Sequence, residues 1–169
     1  MNKNKKYSSL ACDFSLGEQI YAQATFHSWW ISGFIGIVLQ NRMWAILYLF
    51  IVVYGILGVV QRHLNCPRCP HLHEYSSCLQ LPPAISKKLI KEKKNTPFSR
   101  NEKILFLSVF ILITFFPIYW LRNYHMALAG FIIFGTMWYA GQFLYFCKRC
   151  RIPSCPFNRA KAVNPLQQS

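Results

Sequence analysis

Six of the seven cysteines fall into two sets, Cys66, Cys69 and Cys78 within CPRCPHLHEYSSC, and Cys147, Cys150 and Cys155 within CKRCRIPSC. Each set opens with Cys-x-Arg-Cys. Two residues between thiols let both sulfurs turn toward one metal ion or cluster around a tight loop, and Pro67, Pro70, Pro153 and Pro156 stiffen such loops. In a reducing compartment this spacing points to metal ligation before disulfides. The second set has no neighbouring histidine, so it cannot close a four-ligand site alone. Three arrangements stay open: a site shared between the sets, a site with one open position, or a further ligand from His71 or His73. The candidate metal ligands are therefore Cys66, Cys69, Cys78, Cys147, Cys150, Cys155, His71 and His73.

Four thiolates around Zn2+ or a [4Fe-4S]2+ core carry a net charge of about −2, which Arg68, Lys148, Arg149 and Arg151 are placed to offset, although basic residues at a membrane edge need no such role. Proline after a ligand cysteine, as in Cys69-Pro70 and Cys155-Pro156, fits iron–sulfur motifs; Cys66-Pro-Arg-Cys69 fits a zinc knuckle equally well. A redox cluster at a membrane edge has an evident use, so an iron–sulfur cluster is the leading cofactor and zinc the alternative. Exchangeable binding of a soft metal is a third possibility. No helix carries a cysteine near mid-membrane, which argues against a thiol relay across the bilayer.

The elements that must position these thiols are set by composition. The chain of 169 residues is 53% hydrophobic, 17% aromatic and only 14% charged, too apolar for an ordinary soluble domain. Four stretches, 24–40, 43–61, 104–121 and 126–146, each approach the ~20 residues that cross a bilayer. The expected fold is all-α, an integral membrane four-helix bundle in one domain, residues 1–169, with helices at about 16–40, 43–61, 103–121 and 125–146. Cysteine segments occupy 62–82 and 147–158, and a basic linker 83–102. Ser15-Leu-Gly-Glu18 and Ser99-Arg-Asn-Glu102 read as capping boxes opening helices one and three. The short connections 40–42 and 122–125 make two tight hairpins with both chain ends on one side.

Charge places that side. Of 19 lysines and arginines, three precede Ile20, nine lie between Gln61 and Lys103 and five follow Phe146, leaving Arg42 and Arg122 in the opposite turns. The positive-inside rule makes the cysteine side cytoplasmic, in a multi-pass protein of the inner membrane. The formal charge of +14 then has a lipid bilayer as its partner, without nucleic acid. The N-terminal run begins late, contains Gln19, Gln23 and His27 and lacks a small-residue cleavage site, so it reads as a retained helix and not a signal peptide. In the linker, Ile85, Leu89 and Ile90 are spaced for one side of a short helix lying on an anionic leaflet, or for a solvated tether.

Hairpin plus Cys-x-Arg-Cys plus a third cysteine occurs twice, which suggests halves related by a twofold axis along the membrane normal, bringing both cysteine sets together beneath the bundle. Gln19, Gln23 and His27 share one face of helix one; they line a quinone or proton path or simply mark an interfacial helix end with Trp29 and Trp30 as belt residues. His27 and His63 are the candidate cofactor-binding histidines, His27 for a quinone nearby and the two together, less simply, for a bis-histidine haem. Pro117 is expected to kink helix three, and Gly33, Gly36, Gly55, Gly58, Gly130 and Gly135 to permit close helix contact. Cys12, Asn123 and Asn158 need no function, and His125 is expected to be solvated. Five carboxylates, none in an apolar stretch, and no nucleophile–base motif leave hydrolytic catalysis without support, so a stand-alone enzyme is less expected than an electron-transfer or metal-binding subunit.

Cys66-Pro-x-Cys-Pro-His71 after helix two, with Cys147-x2-Cys150-x4-Cys155-Pro-x-Asn158 after helix four, resembles a group of small bacterial four-helix membrane proteins over most of the chain. The layout is more distantly similar to the membrane part of polyferredoxin-type quinol dehydrogenases, which place cysteine motifs on the cytoplasmic side after successive helix pairs. That resemblance implies a bacterial inner membrane, quinone chemistry and cluster ligands at Cys66, Cys69, Cys150 and Cys155. The spacing departs from that family, which has Cys-x3-Cys-Pro where this chain has Cys-x2-Cys-Pro and Cys-x4-Cys-Pro. Without a ferredoxin domain, a separate redox protein, or a second copy of the chain, is the expected partner.

Overall fold

In the computed structural model, residues 14–69, 90, 93, 96–150, 152 and 155–158 are described. Among them every regular element is helical: α1 (Leu16–Gln40), α2 (Arg42–Val52), α3 (Arg100–Leu121) and α4 (His125–Gly141). Helix α2 continues as a π-helix, Val53–Asn65, and a 3-10 turn, Cys66–Arg68. Helix α4 likewise continues as a π-helix, Gln142–Phe146, and a last turn, Cys147–Arg149. Both cysteine motifs therefore sit on wider-wound extensions of the second helix of each half. The expected ends at 61 and 146 are too early, because no residue breaks the helices until Pro67 and the turn at Cys150.

Both expected capping boxes form. The Ser15 hydroxyl accepts from the Glu18 amide and the Glu18 carboxylate accepts from the Ser15 amide, and Ser99 and Glu102 repeat this. Each serine follows a buried phenylalanine, Phe14 or Phe98, so the repeat unit opens with Phe-Ser-x-x-Glu. At the opposite end Asn41 both closes α1 and caps α2, accepting from the Met43 and Trp44 amides.

Three continuous helical stretches, Arg42–Arg68, Arg100–Leu121 and His125–Arg149, are long and apolar enough to cross a membrane. The 25-residue α1 is not among them, because Glu18, Gln19, Gln23 and His27 dilute its first half. It is nonetheless the hub of the bundle: α1 packs most extensively on α4 and also touches α2 and α3. The two hairpins are thus interlocked, and α4 has its main neighbour in the other half. Glycines make that approach possible. A methyl on Gly135 would lie 2.9 Å from the Trp29 ring, one on Gly141 2.7 Å from Tyr21, and one on Gly33 3.0 Å from Phe131. Gly58 differs from the expectation, its nearest neighbour being Tyr54 of its own helix at 3.4 Å.

Trp29 is a core residue and not a belt residue. It is 1% exposed, stacked on Trp138 with centroids 5.4 Å apart, and Trp138 in turn stacks on Phe110 at 5.6 Å. The reason is register: Ala22, Thr25, Trp29, Gly33, Gly36 and Ile37 form the buried stripe of α1, whereas Gln19 and Gln23 are half-buried and His27 is exposed. Pro117 lies buried inside an unbroken α3. Lacking an N–H, it cannot serve the Ile113 carbonyl four residues back, and the buried Tyr48 hydroxyl of α2 donates to that oxygen at 3.3 Å.

Candidate thiol site

All four helices begin or end at one end of the bundle, and both cysteine motifs sit there. In the first motif the Cys69 amide donates to the Cys66 carbonyl at 3.2 Å, closing the loop, and Pro67 O accepts from the Lys93 amide at 2.7 Å. Cys66 is buried against Ile90, with Cys69 beside them. The linker therefore returns beneath the first motif: Ile90 is buried and outside any helix, while Ile85 and Leu89 lie outside the described residues.

The second motif is held more tightly. The Ile152 amide donates to the Cys150 sulfur, and the Phe157 and Asn158 amides donate to the Cys155 sulfur. The Asn158 side-chain amide donates to the Cys150 and Ile152 carbonyls at 3.3 and 2.5 Å, and its backbone amide donates to Cys155 O at 3.0 Å. Phe157 is inserted among Phe106, Phe110 and Phe143, with centroid separations of 4.9, 5.1 and 4.9 Å. Amide-to-sulfur bonds of this kind orient thiolates and stabilise their charge, as the supporting groups around metal–thiolate centres do.

The five described cysteines are all thiols: Cys66 and Cys147 are buried, and Cys69, Cys150 and Cys155 are half-buried. Burial pushes the Cys150 thiol well above its ordinary pKa; Cys155, Cys69 and Cys147 act in the same direction, and the Ile152 amide opposes them. Burial raises Cys155 as well, against its two amides. Thiols from both halves thus lie within electrostatic reach of Cys150. As placed, no three His, Cys, Asp or Glu side chains among the described residues close into a metal ligand set.

The arginines inside the motifs are paired with carboxylates. The Arg68 guanidinium donates to both oxygens of Glu102 at 2.8 and 3.0 Å, to Thr96 O at 2.9 Å and to Leu64 O at 3.0 Å, and it stacks over Phe98. Arg149 donates to Glu18 at 2.6 Å and to the Tyr145 hydroxyl, which itself donates to Glu18 at 2.7 Å. Each motif arginine is therefore bonded to the capping-box glutamate that opens the other half. Glu18 stands outside the apolar part of α1. Its partial burial works to raise its pKa, but the bonds from Tyr145, Ser15 and Arg149 outweigh this and bring it down to about 2.

Of the expected site residues, Cys66, Cys69, Cys147, Cys150 and Cys155 share the cysteine end. Cys78, His71 and His73 lie outside the described residues, as does Cys12. The exposed His27 pairs its Nδ1 with Gln23 O at 2.8 Å within its own helix, and the exposed His63 has its carbonyl 3.4 Å from Arg68. His125 is exposed at the start of α4, in the opposite turn. The reading from sequence missed Glu18, Glu102, Phe157 and Asn158. The available signals were the repeat of Phe-Ser-x-x-Glu 84 residues apart and the asparagine fixed three residues after Cys155.

No protein-family model matches the chain, and neither do any curated protein or solved structure.

Proposed function

We propose that this protein is a four-span membrane protein whose two cysteine loops jointly hold an iron–sulfur cluster for electron transfer at the cytoplasmic face of the bacterial inner membrane. The observation that carries the proposal is that Cys69 of the first motif and Cys150 and Cys155 of the second pack against one buried core, with Cys147 buried in the turn before Cys150. Those four cysteines, drawn from both halves, are the ligand set the reading favours, with the thiols drawn closer together on loading. When bound, such a cluster accepts and releases single electrons. The protein's part is to shield the thiols by burial and to hold their charge with amide hydrogens.

Membrane residence and orientation are supported by the three apolar helical stretches and by the described basic residues Arg62, Arg68, Arg100, Lys103, Lys148 and Arg149 at the cysteine end, against Arg42 and Arg122 at the other. The position of α1 among the other three helices supports it as the fourth span. The electron partner is a separate redox protein, a second copy of the chain, or quinone near His27. Zinc is the alternative occupant, since amide-to-sulfur bonds suit either metal centre.

The test is iron, acid-labile sulfide and zinc per chain in protein purified without oxygen, beside a Cys69→Ser/Cys150→Ser variant. Matching iron and sulfide, lost in the variant, is the expected result. Stoichiometric zinc without sulfide would replace electron transfer by a structural or adaptor role, and exchangeable binding without either would leave soft-metal handling.

A further inference from the structure

The two ion pairs at the cysteine end are reciprocal. Arg68 closes the first half and binds Glu102, which opens the second; Arg149 closes the second half and binds Glu18, which opens the first. Each arginine sits two residues after the leading cysteine of its motif, and each glutamate is the third residue of its helix, where Ser15 or Ser99 already fixes its carboxylate. A guanidinium held by a pre-oriented carboxylate has little freedom. A motif arginine in the same turn as Cys66 or Cys147 therefore carries its cysteines to a place set by the other hairpin.

We propose that Glu18 and Glu102 are positioning residues for the thiol site, forming a two-point clasp that brings the two cysteine loops together only when the hairpins are docked. The first arm is reinforced by Phe98 under Arg68 and by Thr96 O. The second is reinforced by Tyr145, which bonds both Glu18 and Arg149. The arms are unequal. The Arg68 side chain is 6% exposed and doubly bonded to its carboxylate, whereas Arg149 is 31% exposed with a single bond to Glu18. The Glu18 arm is thus the one that opens first, releasing the end of α4 from the start of α1, while Phe157 and Asn158 hold the second loop's own shape.

The inference rests on the shared thiol site but not on what fills it, and the experiment keeps the two apart. In the full-length chain in membranes, all cysteines except Cys69 and Cys150 are replaced by serine, and the bridging of those two thiols by dibromobimane is followed by fluorescence. Glu18→Gln is expected to slow bridging about tenfold, the scale of losing one charge-assisted hydrogen bond at a partly exposed pair. Glu102→Gln should slow it further, and the swap Glu18→Arg/Arg149→Glu should restore it while Glu18→Arg alone does not. Bridging unchanged in Glu18→Gln, or lost without restoration by a swapped chain that inserts at normal levels, overturns the proposal. Clasp-dependent bridging in a protein whose full-cysteine form binds neither iron nor zinc would dismiss the metal reading and leave the clasp standing.

Discussion

Tyr48→Phe removes a single oxygen, yet the structure gives it a definite cost. Tyr48 is fully buried, and its hydroxyl donates to Ile113 O, a carbonyl whose usual helical donor is missing because residue 117 is proline. At 3.3 Å the bond is longer than the ~2.7–2.8 Å of a good O–H···O contact. The direct interaction should therefore lie near the ~0.6 kcal/mol average for hydrogen bonds between membrane helices and not near the ~1.7 maximum. Leaving the carbonyl unserved in an apolar core adds on the order of 1 kcal/mol, so the expected loss is about 1–2 kcal/mol. The assay is a double-mutant cycle with Pro117→Ala, read by reversible unfolding in mixed micelles. Alanine at 117 regains the N–H, so Tyr48→Phe should cost about 0.6–1 kcal/mol less in that background. The small cavity left by the proline ring enters both arms and cancels. Equal costs in the two backgrounds would refute the substitution of Tyr48 for the missing helical donor.

The glycine contacts predict a contrast. Gly135→Ala drives a methyl to 2.9 Å from a Trp29 ring pinned between Trp138 and Phe131 and should cost about 1–3 kcal/mol, whereas Gly58→Ala, facing only Tyr54 at 3.4 Å, should be neutral or mildly stabilising in the same unfolding assay. The depressed Glu18 carboxyl makes stability pH-dependent. Its contribution is present above its unfolded value near 4.5 and is lost as pH falls toward about 2, so acid titration of the folded fraction should flatten across that window in Glu18→Gln; an unchanged profile would show that the carboxylate is not held. Asn158→Ala frees the Cys150 and Ile152 carbonyls and should speed maleimide labelling of Cys150 about tenfold, the change in thiol access expected when a closed loop opens, without altering membrane insertion.

Local rules made much of this protein legible. Ser15-x-x-Glu18 and Ser99-x-x-Glu102 announce helix starts because capping involves residues three apart, and Asn41 marks the turn for the same reason. Long apolar runs announce helices because a stretch apolar enough to cross a membrane can satisfy its backbone only within itself. The paired Cys-x-Arg-Cys motifs announce a repeat because the same two-residue spacing, which lets thiols turn together, recurs after the second helix of each half. For Trp29 the sequence is ambiguous, because a tryptophan near a polar helix end fits both belt and core, and only its stacking on Trp138 from the other half distinguishes them. The linker resisted for a similar reason: nothing local says that Ile90 returns to cover Cys66.

The helices, their caps, the repeat and the thiol chemistry on offer follow from neighbours within a turn or from bulk composition, and so are legible in one dimension. Which half each helix packs against, and which partner each motif arginine takes, were decided by tertiary structure alone. The α1–α4 interface needs Gly33 of one half and Gly135 of the other in register across more than a hundred residues of chain. The pairs Arg68–Glu102 and Arg149–Glu18 exist only because docking brings the end of one half to the start of the other. Charge and packing act through space, and the separation along the chain carries no trace of them until the hairpins meet.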